Sequence, residues 1–410
     1  MTVPTGSLTE DEAYARFCAG SLRDPYPFFA RLRAADPVHR SERLNAWVLT
    51  RYDDVFAALS DPRVGMERIG ALMDAVPADQ RSSVAPLEEH IGHWLGFMDP
   101  PRHTRLRKLV GRVFTPSYAR MMSERIQVAV DGLLDDLADR RSFDVVEDLA
   151  RPLPALVTYE LMGVPLERRA ELSALVDRVG AFVNNVGLPL ADAAADANAA
   201  TLELQRYFRD LIDERRGSST PALIDTLADL RGRDELTDAE LFGLAVFIFA
   251  AAQTPFGFLA TSIMLLLTHE DQRRRWVSGE APSGLAIEEL LRYEAPLQIV
   301  SSVAMEPLEV RGQRVQRGDL IVLVLGAANR DPDQFGDPDR FDLARSPNRH
   351  MSFGWGAHYC LGVALTRVEA EIAIGTTLRR FPHLHLERDR PEWVISITER
   401  RLQRLPVSIS

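Results

Sequence analysis

One cysteine of this chain stands in a glycine-rich stretch that could do metal chemistry. The stretch reads FGWGAHYCLG, residues 353–362, and Cys360 is one of only two cysteines in 410 residues. A helical pattern follows it, so the sulfur lies where unpaired N–H groups and the helix dipole favour a thiolate. Gly354 and Gly356 allow the backbone to approach a flat group, and Gly362 keeps the first helical turn thin. These residues predict a thiolate that binds a metal from a loop.

Three other roles for Cys360 fit the residues less well. A buried structural cysteine does not need the surrounding glycines. A zinc site needs further thiolate or imidazole ligands, and only His350 and His358 lie close in sequence. A phosphatase-type nucleophile needs an arginine at a fixed short spacing, and Arg367 lies one residue too far. Ligation of haem iron by the thiolate fits best.

The same stretch resembles the haem-ligand signature of the cytochrome P450 family. That signature reads Phe, Gly, any, Gly, any, His or Arg, any, Cys, any, Gly. Its fixed positions are occupied here by Phe353, Gly354, Gly356, His358, Cys360 and Gly362. The resemblance extends over nearly the whole chain. It implies a single cytochrome P450 domain over residues 1–410, with haem b as the cofactor and Cys360 as the iron ligand.

A second part of the resemblance lies in DPPRHTRLRKLV. His103 and Arg107 are four residues apart, so they share one helix face, which by itself could be a solvated basic face. The family uses this pair, together with His358, on the haem propionates, where charge-assisted hydrogen bonds are strong. The arginine of the family's R-x-A-x-E stretch is replaced by Ser302. One usual propionate anchor is therefore missing.

A third part is EELLRYEAP, in which Glu289 and Arg292 are three residues apart. Alone, such a surface pair stabilises a helix by roughly a few tenths of a kcal/mol. It is similar to the family's Glu-x-x-Arg motif, which forms a buried network with a second arginine. DPDRFD supplies that arginine as Arg340. The resemblance implies a structural network that holds the core behind the cysteine loop.

A long apolar pattern runs from residue 241 to residue 267, after a capping box of Thr237 and Glu240. At roughly 1.5 Å per residue it would be about 40 Å long, enough to span a bilayer. Polar residues and Pro255 interrupt it, however, and a helix that is apolar all round can run through the centre of a large protein. We expect a central core helix, kinked at Pro255.

The middle of this helix, AAAQTP, resembles the family segment that crosses the distal face of haem. The resemblance implies that Ala250 and Ala251 leave room for oxygen and that Thr254 guides protons. The family's acidic residue is replaced by Gln253. Because Gln253 cannot ionise, we expect proton delivery to run through Thr254 and ordered water or substrate hydroxyls.

Helical patterns dominate the rest of the chain, and strand patterns are few. PYPFFARLRAA and YDDVFAALS show apolar residues at spacings of three and four, whereas AWVLT and LEVRGQRVQRGDLIVLVLG resemble strands joined by turns. The predicted fold is mainly α with a small β portion, and its long central helix lies over the haem.

The net charge and the cysteine count narrow the expected classes of partner and the expected location. The net charge of −11 argues against general nucleic-acid binding, which needs a basic face. The start of the chain shows no secretory signal or membrane anchor, and a two-cysteine chain without a signal favours the cytoplasm. Soluble bacterial family members take NAD(P)H-derived electrons from a reductase and a ferredoxin. Arg105, Lys108 and Arg112 could form the docking patch for such an acidic partner, or a solvated helix face.

Family position also indicates the residues that contact substrate. They comprise residues 64–95, the alanines of the central helix, and Leu297, Gln298, Ile299, Val300 and Ile395. Most are apolar, which favours a medium-sized hydrophobic substrate. The resemblance implies that the reaction is O2-dependent hydroxylation or epoxidation, in bacterial secondary metabolism. Oxidative coupling, a peroxygenase reaction and a non-catalytic haem protein stay open. Thr254 and the basic helix argue against the last.

Overall fold

The structure is a computed structural model, and it describes most of the chain. The described residues are 10–19, 22–74, 76–183, 191–218, 222–252, 254–388 and 391–409. Gln253 therefore lies outside the described residues.

Helices form most of the described chain, as the periodicity predicts. Eighteen α-helices lie within the described ranges: α1 Glu10–Cys18, α2 Tyr26–Ala35, α3 Tyr52–Ser60, α4 Ile69–Asp74, α5 Ala85–Ile91, α6 Arg102–Val110, α7 Pro116–Met121, α8 Ser123–Asp135, α9 Pro152–Met162, α10 Arg169–Val183, α11 Ala191–Glu214, α12 Leu223–Gly232, α13 Asp238–Ala251, α14 Thr254–Thr268, α15 Glu270–Val277, α16 Ser283–Tyr293, α17 Leu325–Ala328 and α18 Val363–Arg380. Short helical turns occupy Arg81–Val84, Leu95–Phe97, Val145–Ala150, Leu166–Arg168 and Gly356–His358.

The β portion is small and lies mostly at one side of the helices. Its strands are β1 Val38–Ser41, β2 Ala46–Leu49, β3 Val64–Gly65, β4 Ser142–Asp144, β5 Ile299–Ala304, β6 Leu308–Val310, β7 Gln313–Val315, β8 Leu320–Val324, β9 His385–Leu386, β10 Glu392–Trp393, β11 Leu402–Arg404 and β12 Pro406–Ser408. The largest sheet has the order β1-β2-β8-β5-β3, and only the β2–β8 pair is parallel. Smaller sheets are β4-β12-β9, β10-β11 and β6-β7. The predicted class, mainly α with a small β portion, is confirmed.

The central apolar stretch begins as predicted. The Thr237 hydroxyl accepts from the Glu240 amide at 3.2 Å, and the Glu240 carboxylate accepts from the Thr237 amide at 3.0 Å. This reciprocal capping box satisfies two of the backbone donors that every helix start leaves unpaired.

The described parts of the stretch are α13, which ends at Ala251, and α14, which is described from Thr254. Gln253, between them, lies outside the described residues. By length and composition the two parts form one apolar span, Asp238–Thr268. The predicted kink at Pro255 stays a prediction.

The two halves of the stretch belong to different apolar clusters. Buried side chains of α13 pack with those of α10 and α11, whereas those of α14 pack with α8, α9 and α18. By length and composition the whole stretch could cross a membrane, but 65% of its most apolar window is buried inside the protein. This burial fits the core helix that the sequence favours.

Candidate active site

Cys360 lies in a loop whose shape depends on two glycines. The Cys360 amide donates to the Phe353 carbonyl at 2.9 Å, which folds the loop back on itself. Gly354 and Gly356 both have φ of +69°, a left-handed conformation that strains other residues. A Cβ atom on Gly356 would also lie 2.5 Å from the Leu59 carbonyl oxygen. The close neighbour at Gly356 is the end of α3, and the predicted approach of the loop to a flat group stays a prediction.

The helix start alone does not make Cys360 a thiolate. Burial raises the pKa of the Cys360 thiol, and this outweighs the Gly362 N–H and the charges of Arg107 and Arg367, which lower it. The N–H group at the helix start therefore acts in the predicted direction, and burial has the larger effect. A bound metal cation would supply the missing stabilisation, because coordinated thiols are deprotonated.

The chemistry of the donor set separates haem iron from zinc. Across the described part of the chain, no group of three or more His, Cys, Asp and Glu side chains is placed to hold a metal ion. Zinc needs such a set. A porphyrin supplies its own four nitrogens and needs one protein thiolate, which Cys360 provides.

Half-buried residues line the interior on both sides of the expected haem plane. Every residue from 358 to 368 is half-buried, and fully buried residues of α18 follow. Ala250 is half-buried and Ala251 is exposed at the end of the buried helix α13. Ala250 and Leu361 pack against the same apolar cluster. This pattern indicates an internal cavity between the end of α13 and the cysteine loop.

The predicted propionate residues come together beside this cavity. The rings of His103 and His358, which are far apart in sequence, lie with centroids 4.0 Å apart. Both ring nitrogens of His103 and Nε2 of His358 are buried without a hydrogen-bond partner among the described residues. Arg107 donates from Nη2 to the Tyr359 carbonyl, next to the cysteine. Buried donors without acceptors are rare in proteins, so an external anion such as a propionate fits here.

The electrostatics of this group favour an anion as well. Burial lowers the pKa of His358 to about 4, and the positive charges of His103, Arg107 and Arg68 lower it further against the opposing charge of Asp99. Burial also lowers the pKa of His103. Both shifts, which are due mainly to burial, favour neutral imidazoles, and the N–H group of each ring would be satisfied by a carboxylate ligand.

Glu288, which the sequence analysis did not single out, fixes the loop from the other side. Its carboxylate accepts from Arg367 at 2.7 and 2.8 Å and from His350 at 3.0 Å. Burial alone would raise the pKa of Glu288, but these two partners lower it to about 2. The Arg367 guanidinium lies 5.2 Å from the Phe353 ring centroid. Glu288 thus positions an arginine against the first residue of the cysteine signature.

The Glu289–Arg292 pair forms the predicted buried network. Arg292 donates to Glu289 at 2.7 and 2.8 Å, and both side chains are fully buried. Nη1 of Arg292 donates to the carbonyls of Asn329 and Pro338 at 3.0 and 2.8 Å. The network ties α16 to the segment that precedes the cysteine loop.

The second arginine of the network is Arg345, and the prediction of Arg340 is wrong. Arg345 donates from Nε to Glu289 at 3.3 Å and its side chain is only 12% exposed. The Arg340 side chain is 66% exposed, and only its backbone carbonyl faces the network, where it accepts from Arg292 and Arg345. Both arginines stand in one turn-rich stretch, and the direction of the chain there decides which side chain points inward.

The predicted distal residues lie at the end of α13 and the described start of α14. Thr254, the first residue of α14, is half-buried, and it follows the small side chains of Ala250 and Ala251. Gln253, the predicted replacement for the acidic residue, lies outside the described residues.

Two of the five predicted substrate contacts point elsewhere. Gln298 is 4% exposed, and its amide donates to the Ala295 carbonyl at 2.8 Å and to the Tyr26 hydroxyl at 3.3 Å. Ile299 is 3% exposed and packs in an apolar cluster with residues of α2 and β8. Both predictions are wrong, because these two side chains are buried in the core.

The other three predicted contacts keep accessible side chains. Leu297 and Val300 are half-buried, and Ile395 is 74% exposed. Ser302, at the position of the missing arginine, is buried and donates to the Met66 sulfur at 3.3 Å.

Comparisons with known proteins agree with this site. A family model described as Cytochrome P450 matches residues 285–401. Cytochrome P450 monooxygenase PikC of Streptomyces venezuelae is 37% identical over 399 residues, which cover 94% of this chain and 91% of the relative. Vitamin D(3) 25-hydroxylase of Pseudonocardia autotrophica is 34% identical and covers 98% of both chains. The crystal structure of the myxobacterial cytochrome P450 CYP267B1 in complex with myristic acid is similar with a TM-score of 0.85 at 36% identity, over 97% of this chain and 99% of the other.

Proposed function

Since the chain belongs to the cytochrome P450 family and is therefore a haem-dependent monooxygenase, we propose that it holds haem b through Cys360 and oxidises a medium-sized hydrophobic molecule. The observation that carries the proposal is the set of buried, unpartnered ring nitrogens of His103 and His358 beside Arg107. We propose that these residues hold the two propionates of haem. We also propose that residues 1–410 form a single cytochrome P450 domain.

The protein side of the proximal site is a single thiolate with controlled charge. Haem ligated by a thiolate supplies oxygen activation, because the sulfur donates electron density that favours O–O cleavage. Gly362 donates its backbone N–H to the Cys360 sulfur, and Arg107 and Arg367 place positive charge near it. These groups lower the basicity of the thiolate, and Glu288 keeps Arg367 in place.

On the distal side, the chain supplies space and a proton route. Ala250 and Ala251 are small, so they would leave room for O2 beside a bound haem. The Thr254 hydroxyl can accept a proton from water and donate one toward the oxygen substrate, which keeps the proton at a defined atom. We assign Gln253 the role of orienting that water, since an amide can donate and accept but does not ionise.

The substrate is proposed to be hydrophobic, and hydroxylation or epoxidation is the proposed reaction. Leu297, Val300 and Ile395 keep accessible apolar side chains. By family position, residues 64–95 are proposed to supply further substrate contacts. Relatives include a vitamin D(3) hydroxylase and a structure with myristic acid, both names that denote largely apolar molecules. A product of bacterial secondary metabolism fits this pocket.

Electrons must reach the site from a partner protein. We propose a ferredoxin with its NAD(P)H-dependent reductase, and a cytoplasmic location. An acidic partner fits the exposed cations Lys108, on α6, and Arg112, just after that helix, whose Arg107 contacts the cysteine loop. Trp355 of that loop is 43% exposed and offers an aromatic contact.

The two cysteines allow a matched test of the central assignment. Purified Cys360→Ala is expected to lose the reduced carbon-monoxide spectrum of thiolate-ligated haem, whereas Cys18→Ala keeps it. Cys18 lies on α1, away from the site, and is the natural control. An unaltered spectrum in Cys360→Ala, or native protein that carries no porphyrin, would contradict the proposal.

A further inference from the structure

Arg68 is a cation in the interior that the function described above does not use. Its guanidinium lies over the Phe97 ring, with Cζ 4.0 Å from the centroid. Nη1 donates to the carbonyls of Met66 and Gly96 at 3.1 and 3.0 Å. Nε and Nη2 have no hydrogen-bond partner among the described residues. Two of the nitrogens of a fixed guanidinium are thus left to donate to something else.

Arg68 is electrostatically linked to the residues that are expected to hold the haem propionates. Burial lowers the pKa of Arg68 to about 10, against the charge of Asp99, so the side chain is still a cation at neutral pH. The charge of Arg68 in turn lowers the pKa of His358. Asp99 also lies 3.9 Å from Nε2 of His358. Arg68, Asp99 and His358 therefore form one electrostatic cluster.

Asp99 holds the backbone of this segment in place and cannot by itself satisfy the cations. Its two carboxylate oxygens accept from the backbone amides of Met66 and Glu67 at 2.9 to 3.0 Å. A Cβ atom on Gly65 would lie 2.6 Å from the same carboxylate, so only glycine permits this approach. The carboxylate thus clamps the segment before Arg68 to the start of α6, which carries His103.

The segment of Arg68 also runs directly beside Ser302. β3 pairs with β5 in the register Val64↔Ala304 and Gly65↔Val303. The Ser302 hydroxyl meets the Met66 sulfur at 3.3 Å, so Met66 occupies the space in front of Ser302. Ser302 is neutral and lies behind Met66, so it supplies no charge to the cavity. Arg68, two residues after Met66, supplies a positive charge.

The charges of the cluster do not balance. Two cations, Arg68 and Arg107, and the neutral, unpartnered imidazoles of His103 and His358 share one carboxylate, Asp99, which is already engaged. Buried cations are normally paired, because an unpaired buried charge is costly. An anionic ligand with more than one carboxylate would correct this imbalance.

We propose that Arg68 is a haem-propionate anchor of this protein, in the role that Ser302 cannot fill. This inference rests on the proposed haem site and adds to it a positioning residue from the segment between β3 and α4. Arg68 donates from Nε and Nη2 to a propionate carboxylate, beside His358. The segment of residues 65–68 is thereby coupled to haem binding.

Haem retention tests the proposal without reference to activity. Transfer of haem to excess apomyoglobin is timed for the unchanged holoprotein, for Arg68→Gln, and for the control Arg63→Gln, an exposed arginine of the same segment paired with Asp61. Arg68→Gln is expected to lose haem roughly tenfold faster or more, since hydrogen bonds to charged groups are the strong class. Arg63→Gln is expected to match the unchanged protein.

A modified porphyrin separates propionate binding from a packing role. Each protein is reconstituted with iron protoporphyrin dimethyl ester, which carries no carboxylates. With this porphyrin, Arg68→Gln and the unchanged protein are expected to lose the ligand at the same rate. If Arg68→Gln does not fold, Arg68→Lys is used, and its preference for haem over the ester should be smaller than that of the unchanged protein.

Three results would overturn the assignment of Arg68. They are haem loss from Arg68→Gln at the unchanged rate, the same acceleration with haem and with the ester, and an undiminished preference for haem in Arg68→Lys. In each case Cys360 would still bind haem, so the proposed function would stand. Absence of haem from the unchanged protein would instead contradict the proposed function itself.

Discussion

Arg105 of α6 donates to the buried carboxylate of Glu240 in α13. A second nitrogen of the same guanidinium donates to the Glu235 carbonyl at 2.8 Å. Glu240 is only 6% exposed, and its carboxylate also completes the capping box of α13. This contact neutralises Arg105 and ties the helix of the propionate residues to the central helix. Lys108 and Arg112, which are exposed, have no such partner among the described residues.

We therefore expect Lys108 and Arg112, but not Arg105, to contribute to docking of a ferredoxin. Lys108→Glu and Arg112→Glu should each raise the KM for ferredoxin by up to about fivefold at low salt, because exposed charge pairs contribute at most about 1 kcal/mol and are screened by salt. Arg105→Gln should lower thermal stability and leave this KM nearly unchanged. Steady-state kinetics at two salt concentrations measure both effects.

The control for this test is Arg274→Glu, an exposed arginine on α15. Peroxide-driven turnover, which needs no ferredoxin, should be the same in all variants. A KM that rises as much in Arg105→Gln as in Lys108→Glu would show that the whole helix face, and not its free cations, binds the partner.

Arg345 and Arg340 form a matched pair for the buried network. Arg345→Met should reduce the free energy of unfolding by about 1.5–3 kcal/mol, because the fully buried Glu289 loses one charged donor and keeps Arg292. Arg340→Met changes an exposed side chain and should stay within about 0.5 kcal/mol. Urea unfolding of the two variants measures the difference. Equal losses would mean that Arg340 also supports the network through its side chain.

His90 should make the stability depend on pH. Burial, and the nearby charge of His93, lower its pKa from 6.5 to about 4. Between these values the unfolded chain binds a proton that the folded protein excludes, so the free energy of unfolding falls as the pH drops from 6.5 to 4. The loss contributed by His90 reaches about 3 kcal/mol.

Unfolding measured at several pH values checks this prediction. His90→Leu should show a shallower decline between pH 6.5 and 4 than the unchanged protein. His383→Gln, which changes an exposed histidine, should keep the original slope. If the slope of His90→Leu equalled that of the unchanged protein, a protonated His90 would have to be accommodated in the fold.

Thr254 should govern the yield of product per electron pair. Thr254→Val keeps the shape and removes the hydroxyl, so product formed per NAD(P)H should fall by up to roughly a hundredfold, at the low end of general acid–base contributions, and peroxide should accumulate. The control is Thr268→Val, whose hydroxyl donates within its own helix to the Met264 carbonyl at 3.0 Å. Unchanged coupling in Thr254→Val would remove the hydroxyl from the proton route.

Local patterns predicted most elements of the fold. The sequence YDDVFAALS matches α3, and AWVL matches β2, because apolar spacing directly reports which face is buried. The division of the central stretch between two apolar clusters was harder to predict, since one apolar run can serve both. Nothing in the periodicity of residues 241–267 marks where one cluster ends and the other begins.

Motif spacing predicted the candidate site where the partners share a loop or a helix face. Cys360 with its glycines, and His103 with Arg107, belong to such local sets. Spacing did not predict Arg345, because a turn decides which of two nearby arginines points inward. It also misplaced Gln298, whose amide bonds to Tyr26 across the fold.

By itself, the sequence determined the chemistry of this protein: one thiolate at a glycine loop, an imidazole and a guanidinium on one helix face, and a threonine in an apolar helix. Residue type and short spacing suffice for these features, because they depend on backbone geometry within a few residues. Only the tertiary structure decided which charges meet. The approach of Arg68 to His358, and the burial that raises the pKa of Cys360, depend on segments packed together from distant parts of the chain.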